Sequence, residues 1–345
     1  MNANNIVSPH RSETVINILV LMLLILVRSG LLKEVVLGFG SGSVFGRLSQ
    51  FAKHLAMLMI MHLMKQVFIA IRPKQWVKNV LVLSAPLAAG TFFQLDIFQK
   101  SLGAFFIFCG AAACIYLVND SFDRKMDAQH PMKSFRPIAS GSLPIGLGLA
   151  VSVVLGSLSI VFAFFYGLAA GLIIAAYLSM NILYSLYIKR IAVLELLFVA
   201  SGFGLRAAFG GAATDTELTA VFLFVISCFS IFLAGCKRHS ELISQDIASR
   251  RHVLDRYSKV LLRNAMTVSS CGGIVGYLVW FVQSSNINLF LVVISFISLL
   301  LATFRFFKLA LAGNAEDPTA QILLDPYLRF VAIMWVGSFL GSVYA

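Results

Sequence analysis

From residue 77 onward the chain repeats one pattern, an apolar stretch of bilayer length followed by a short polar break. A helix needs roughly 17–25 apolar residues to cross a membrane. Nine stretches meet that need, at about 77–95, 101–119, 144–165, 168–188, 191–211, 218–236, 263–283, 287–305 and 325–343. In lipid every backbone N–H and C=O must find its partner within the segment or in a closed barrel. The pattern therefore predicts an all-α integral membrane protein of about nine transmembrane helices. Hydrophobic residues make up 59% of the chain and charged ones 12%, which excludes a soluble globule. The five cysteines lie in or beside apolar runs without paired ligand spacing, and they read as small hydrophobes.

The charges orient these spans. With Arg72, Lys74 and Lys78 in the cytoplasm, the connections 120–143, 189–190, 237–262 and 306–324 fall on the same side. Of the 21 Lys and Arg residues from Arg72 onward, 19 then lie in or beside cytoplasmic segments; Lys100 lies outside and Arg206 within a span. This is the inside-positive asymmetry of a membrane protein. It accounts for the net charge of +12 without nucleic acid, for which no motif is present.

Residues 1–67 differ in character. Residues 15–27, after Arg11, are nearer to a signal-peptide core or an interfacial helix than to a full span. A Gly/Ser-rich linker at 38–46 and a Met-rich, interfacial amphipathic helix at 55–64 are expected to follow. The organisation expected is an N-terminal extension, 1–67, and a membrane catalytic domain, 68–345.

Four constellations carry chemistry. Asn119, Asp120, Asp123 and Asp127 follow the second span, and on a helix continuing past the membrane three of them would share one face. Carboxylates stacked in that way repel unless a cation sits between them, and hard oxygen ligands suit Mg²⁺ completed by substrate phosphates. A salt-bridged helix end is the alternative. His130, Lys133 and Arg136 trail this cluster. The stretch Arg72-Pro73-Lys74-Gln75-Trp76-Val77-Lys78-Asn79 reads either as a juxtamembrane anchor or as a phosphate clamp. Lys237-Arg238-His239-Ser240-Glu241, continuing to Asp246, Arg250, Arg251 and Tyr257, reads either as an ordinary helix-surface ion pair or as a second anion site. The last group is Tyr184, Tyr187, Lys189 and Arg190, with Glu195 and Arg206 inside the fifth span. Intramembrane charges are functional by default. Glu195 and Arg206 lie about three turns, roughly 16 Å, apart, so each needs another partner. His130, His239 and His252 lack ligand spacing and are expected in loops.

Asn119-Asp120-x-x-Asp123-x-x-x-Asp127 on a nine-span chain resembles the UbiA superfamily of intramembrane prenyltransferases. Residues 72–79, His130-Pro131-x-Lys133 with Arg136-Pro137-Ile138-Ala139, the stretch 192–211 and Lys237-Arg238-x-x-Glu241 are similar to its decaprenyl-phosphate phosphoribosyltransferase branch. The resemblance covers about 68–343. It implies a UbiA-like helical bundle in the bacterial inner (cytoplasmic) membrane, with the active site facing the cytoplasm. The implied reaction is Mg²⁺-dependent transfer of 5-phosphoribose from phosphoribosyl pyrophosphate to a polyprenyl phosphate. The product would feed arabinose donors for cell-envelope glycans or nodulation factors. It further implies Asp120, Asp123 and Asp127 as catalytic metal ligands, and Lys133, Arg136, Lys237 and Arg238 at pyrophosphate or the ribose 5-phosphate. Arg72, Lys74 and Lys78 would receive the lipid phosphate. Asn119, Tyr184, Lys189, Glu195, Arg206 and Glu241 would complete the substrate site. Glu195 stands where the pattern leads one to expect Asp, and Ala128 and Ser134 where basic residues are common. Two other classes stay open. An aromatic prenyltransferase of the same superfamily would favour an Asp-x-x-x-Asp motif after the sixth span. A transporter would place its ionisable groups near the midplane.

Overall fold

The computed structural model describes residues 42–243, 257–283 and 288–345. Residues 15–27, Asp246, Arg250, Arg251 and His252 lie outside them. Every regular element among the described residues is helical, as hydropathy requires. Eight helices are long and apolar enough to cross a membrane, and nine if the segments 49–70 and 73–88 count as one broken span. The described chain forms two units, 42–70 with 124–148, and 71–123 with 149–345.

The first unit holds α1 (Gly42–Ala70) and two single-turn helices, α4 (Arg124–Asp127) and α5 (Pro137–Ser140). Residues 42–46 are helix rather than linker, and the Met-rich stretch is part of the same helix. Pro137 at the first position sets φ for α5, and Gly141, at φ 82°, ends it in a left-handed conformation that glycine adopts freely. Ile138 and Leu143 are fully buried, and Ser142 donates to Gln66 of α1.

The second unit is the helical body. It contains α2 (Ser84–Ala88), α3 (Leu95–Phe122), α7 (Leu168–Leu186), α8 (Leu194–Ala213), α9 (Ala220–Ile243), α10 (Lys259–Gln283), α11 (Leu289–Leu311), α12 (Pro318–Leu324) and α13 (Pro326–Tyr344). Most of α6 (Ile145–Phe164) belongs here too. One core gathers Phe108 of α3, Ile174 and Tyr177 of α7 and Phe209 of α8. A second joins Phe232 of α9, Met266 of α10, Phe306 of α11 and Leu328 of α13.

The first expected span departs from a plain helix. Residues 73–83 form a 3₁₀ helix with Pro73 in its first turn, running into α2. Such a long 3₁₀ run is uncommon on its own, and packing against α8 supports it. A Cβ on Gly210 would lie 1.8 Å from the Val82 carbonyl oxygen, so only glycine lets these two backbones meet.

Candidate active site

The helix expected to carry the aspartates as one face is broken. α3 stops at Phe122, and Asp123 is its C-cap, its N–H bonded to the Asn119 carbonyl. Asp127 ends the separate turn α4, in the other unit. The periodicity of four is therefore not a shared helical face.

In the second unit Asp120 is buried and accepts from the Arg72 guanidinium. Arg72 also lies 5.1 Å over the Tyr116 ring. Its backbone is left-handed, φ 54°, an unfavourable conformation for a side-chain-bearing residue. The ion pair and the ring offset that strain and fix the start of the 3₁₀ helix at the end of α3. The Asn119 side chain accepts from Ser185 of α7, and Asp123 pairs with Lys189 just beyond α7 at 2.5 Å. Two carboxylates and two cations thus meet where α3 and α7 end and the 3₁₀ helix begins.

Glu195 is fully buried, and Arg238 of α9 grips it with Nε at 2.8 Å and Nη2 at 3.1 Å. The remaining Nη1 reaches Glu241 at 2.5 Å, and Lys237 stands 4.0 Å from the same carboxylate. Tyr184 of α7 lies within reach of the Arg238 charge. The Tyr257 hydroxyl accepts from the Val193 N–H at 2.8 Å and bonds Glu195. Burial keeps that phenol's pKa above its ordinary value, so it stays a neutral donor to the carboxylate. Val193 holds φ 69° at this junction. His239, expected in a loop, is instead buried in α9, where its ring nitrogen contacts the Ala310 carbonyl at 3.1 Å.

Arg206, midway along α8, meets no carboxylate among the described residues. Its Nε donates to Asn79 at 2.9 Å, Nη1 to the Gly202 carbonyl at 2.7 Å and Nη2 to the Tyr177 hydroxyl at 3.3 Å. Phe108, Tyr177 and Phe203 present their rings 5.1–5.4 Å from the guanidinium carbon. As spacing required, Glu195 and Arg206 have separate partners. Lys78 lies close enough to Lys237, Arg206 and Arg72 to be repelled by all three, and to Asp317 to be attracted. Lys74 is exposed.

In the first unit Asp127 is buried and pairs with Arg136 at 2.6 Å. The His130 ring accepts from the backbone N–H groups of Met132 and Lys133, which shapes the turn carrying Lys133.

Each aspartate therefore has its own basic partner. Among the described residues no three His, Cys, Asp or Glu side chains gather as a metal's ligands would. Mg²⁺ needs only one or two carboxylates and fills its octahedron with water and phosphate oxygens. Asp120 and Asp123 are donors of that kind. Ser185 and Tyr177 join the site groups without belonging to any sequence motif, and Asn79, the last residue of the 72–79 stretch, joins them through Arg206. Their signal was position alone: a polar side chain at the end of a span or beside a motif cation.

The long apolar helices carry buried charges, Asp120, Glu195, Arg206 and Arg238 among them, and the class of protein is an intramembrane transferase. The chain belongs to the UbiA prenyltransferase family, whose model matches residues 79–322. It is 37% identical over 285 residues to the decaprenyl-phosphate phosphoribosyltransferase of Corynebacterium glutamicum, covering 80% of this chain and 86% of that one. To the enzyme of the same name from Mycobacterium tuberculosis it is 36% identical over 275 residues, covering 78% and 91%. The nodulation protein NoeC of Azorhizobium caulinodans is 32% identical over 225 residues, covering 63% of this chain and 72% of its own. Among solved structures, a digeranylgeranylglyceryl phosphate synthase superposes with a TM-score of 0.62 at 16% identity, covering 81% of this chain and 98% of that one. A UbiA homologue from Archaeoglobus fulgidus bound to GPP and Mg²⁺ gives 0.56 at 14% identity, covering 81% and 100%. At those identities the likeness is one of fold.

Proposed function

We propose that this protein transfers 5-phosphoribose from phosphoribosyl pyrophosphate to a polyprenyl phosphate and releases pyrophosphate. The observation that carries the reading is the convergence, in one unit, of the Arg72–Asp120 and Lys189–Asp123 pairs with Lys78 and Lys237. Identity of 36–37% to two enzymes named for a polyprenyl-phosphate acceptor and a phosphoribosyl group supports it.

An oxygen of the lipid phosphate attacks ribose C1, and the C1–O bond to pyrophosphate breaks with its electron pair leaving on the pyrophosphate oxygen. Mg²⁺ would supply charge neutralisation at the leaving group, held by Asp120 and Asp123, with Asp127 assigned the same role from the motif alone. Arg72 and Lys189 hold those carboxylates in place before substrate arrives. Lys237, whose side chain is 41% exposed, is assigned with Lys133 and Arg136, from the motif, to a pyrophosphate or 5-phosphate oxygen. Arg238, locked on two carboxylates, acts instead as a strut that fixes α9 to the start of α8. A phosphate oxygen is already a nucleophile, so positioning and electrostatics supply most of the rate. The reading puts the reaction site on the cytoplasmic face of the bacterial inner membrane, in keeping with the inside-positive charge pattern, and has the product serve arabinose-donor synthesis. An aromatic prenyltransferase is disfavoured because α9 ends in Lys237-Arg238-x-x-Glu241, with Glu241 consumed by Arg238.

The test is purified protein with Mg²⁺, phosphoribosyl pyrophosphate and a polyprenyl phosphate. Phosphoribosylated lipid and pyrophosphate are expected. Absence of product at every chain length, with turnover of a polyprenyl diphosphate and an aromatic acid, overturns the reading.

A further inference from the structure

Among the described side chains of the second unit, two cations that are not exposed have no carboxylate of their own. Arg72 is balanced by Asp120, Lys189 by Asp123, Arg238 by Glu195 and Glu241, Lys100 by Asp215 and Arg305 by Asp325, and Lys237 shares Glu241. Arg206 and Lys78 remain; the other unpaired cations are exposed. Arg206 is 7% exposed. A guanidinium carries five N–H donors, and the three bonds to Asn79, Gly202 and Tyr177 leave two unused. Lys78 makes no hydrogen bond or ion pair with any described residue, although Arg206 and Lys237 repel it. The carboxylate that attracts it, Asp317, is exposed and spends one oxygen capping α12 through the Thr319 and Ala320 N–H groups. Asn79, bonded to Arg206, is the next residue after Lys78, so the two cations flank one short stretch of the 3₁₀ helix.

An intramembrane arginine costs about 2.5–3.5 kcal/mol on insertion scales, and aromatic faces recover only part of that. A charged ligand restores the rest. A phosphate monoester carries a charge of about −1.5 to −2 at neutral pH, which matches two uncompensated cations. We infer that Arg206 and Lys78 together form a monoester-phosphate subsite sunk into the bundle, and that it seats the phosphate of the acceptor lipid. This inference rests on the reaction proposed above and moves the lipid phosphate inward from the exposed Lys74. Phe108, Tyr177 and Phe203 around the guanidinium favour a head group attached to an apolar chain over the 5-phosphate of the polar donor.

Direct binding to the full chain in nanodiscs tests it, with a polyprenyl monophosphate, the matching polyprenol and ribose 5-phosphate as probes. Wild type is expected to prefer the phosphate over the alcohol by at least about tenfold, the equivalent of about 1.4 kcal/mol. Arg206→Gln and Lys78→Met are each expected to erase most of that preference, and ribose 5-phosphate to leave lipid binding unchanged. Lys78 has no protein partner to lose, so Lys78→Met carries the test should Arg206→Gln fail to fold. A preference kept in Lys78→Met, or displacement of the lipid by ribose 5-phosphate, overturns the subsite. A preference that depends on both residues, in a protein that transfers no pentose, leaves the subsite standing and removes the reaction.

Discussion

Arg238 meets Glu195 side on, Nε to Oε1 at 2.8 Å and Nη2 to Oε2 at 3.1 Å, with both side chains buried. The pair ties α9 to the first turn of α8, and it needs the full length of glutamate. Leaving one member of a buried pair without its partner costs about 3–5 kcal/mol. Glu195→Leu is therefore expected to destabilise the protein on that scale in detergent unfolding. Glu195→Asp, one methylene shorter, loses one of the two bonds, at about 1–2 kcal/mol. Equal stability of Glu195→Asp and wild type would show that the fork geometry contributes nothing.

Asp123→Asn keeps the shape of the α3 C-cap but removes the charge that faces Lys189. Turnover is expected to fall by about a hundredfold or more, since electrostatic groups at a reacting centre contribute on that order. Thermal unfolding should shift little, because the side chain is partly exposed. Near-normal activity would return Asp123 to a purely structural ion pair.

Gly210→Ala places a methyl against the Val82 carbonyl where no space exists. The 3₁₀ helix must move away from α8, taking Asn79 off Arg206. Overpacking of this kind costs about 1–3 kcal/mol, and activity should fall with stability. Gly146→Ala, with open space around the Cβ position, is the matched control and should behave as wild type.

Asp325 caps α13 through the Leu328 N–H and takes Arg305 at 2.7 Å. The backbone bond first, and Arg305 after it, hold its carboxyl below the usual range. A depressed folded-state pKa stabilises above the unfolded value and loses that contribution as pH falls through the folded one. Stability should therefore drop in the acid range below about pH 4. Asp325→Asn should be less stable at neutral pH and show a flatter acid limb. An unchanged limb would assign acid sensitivity to other carboxylates.

Much of this was legible in the sequence. Eight of the expected spans are helices, with limits up to seven residues from those anticipated, because lipid leaves a long apolar run no other conformation. The first span was misjudged: hydropathy does not register that Pro73 and the contact at Gly210 favour a 3₁₀ turn. The aspartate face failed at Asp123, where the helix caps. Periodicity assumes a continuing helix and carries no information on where backbone bonding stops.

The sequence alone determined the class of fold, the identity of the charged clusters and the family, since hydropathy and motif spacing are properties of the chain. Which cation answers which carboxylate was decided only by tertiary structure. Arg72 with Asp120, and Glu195 with Arg238, lie 48 and 43 residues apart, so only helix packing brings them together. That same packing leaves Lys78 and Arg206 without a carboxylate of their own.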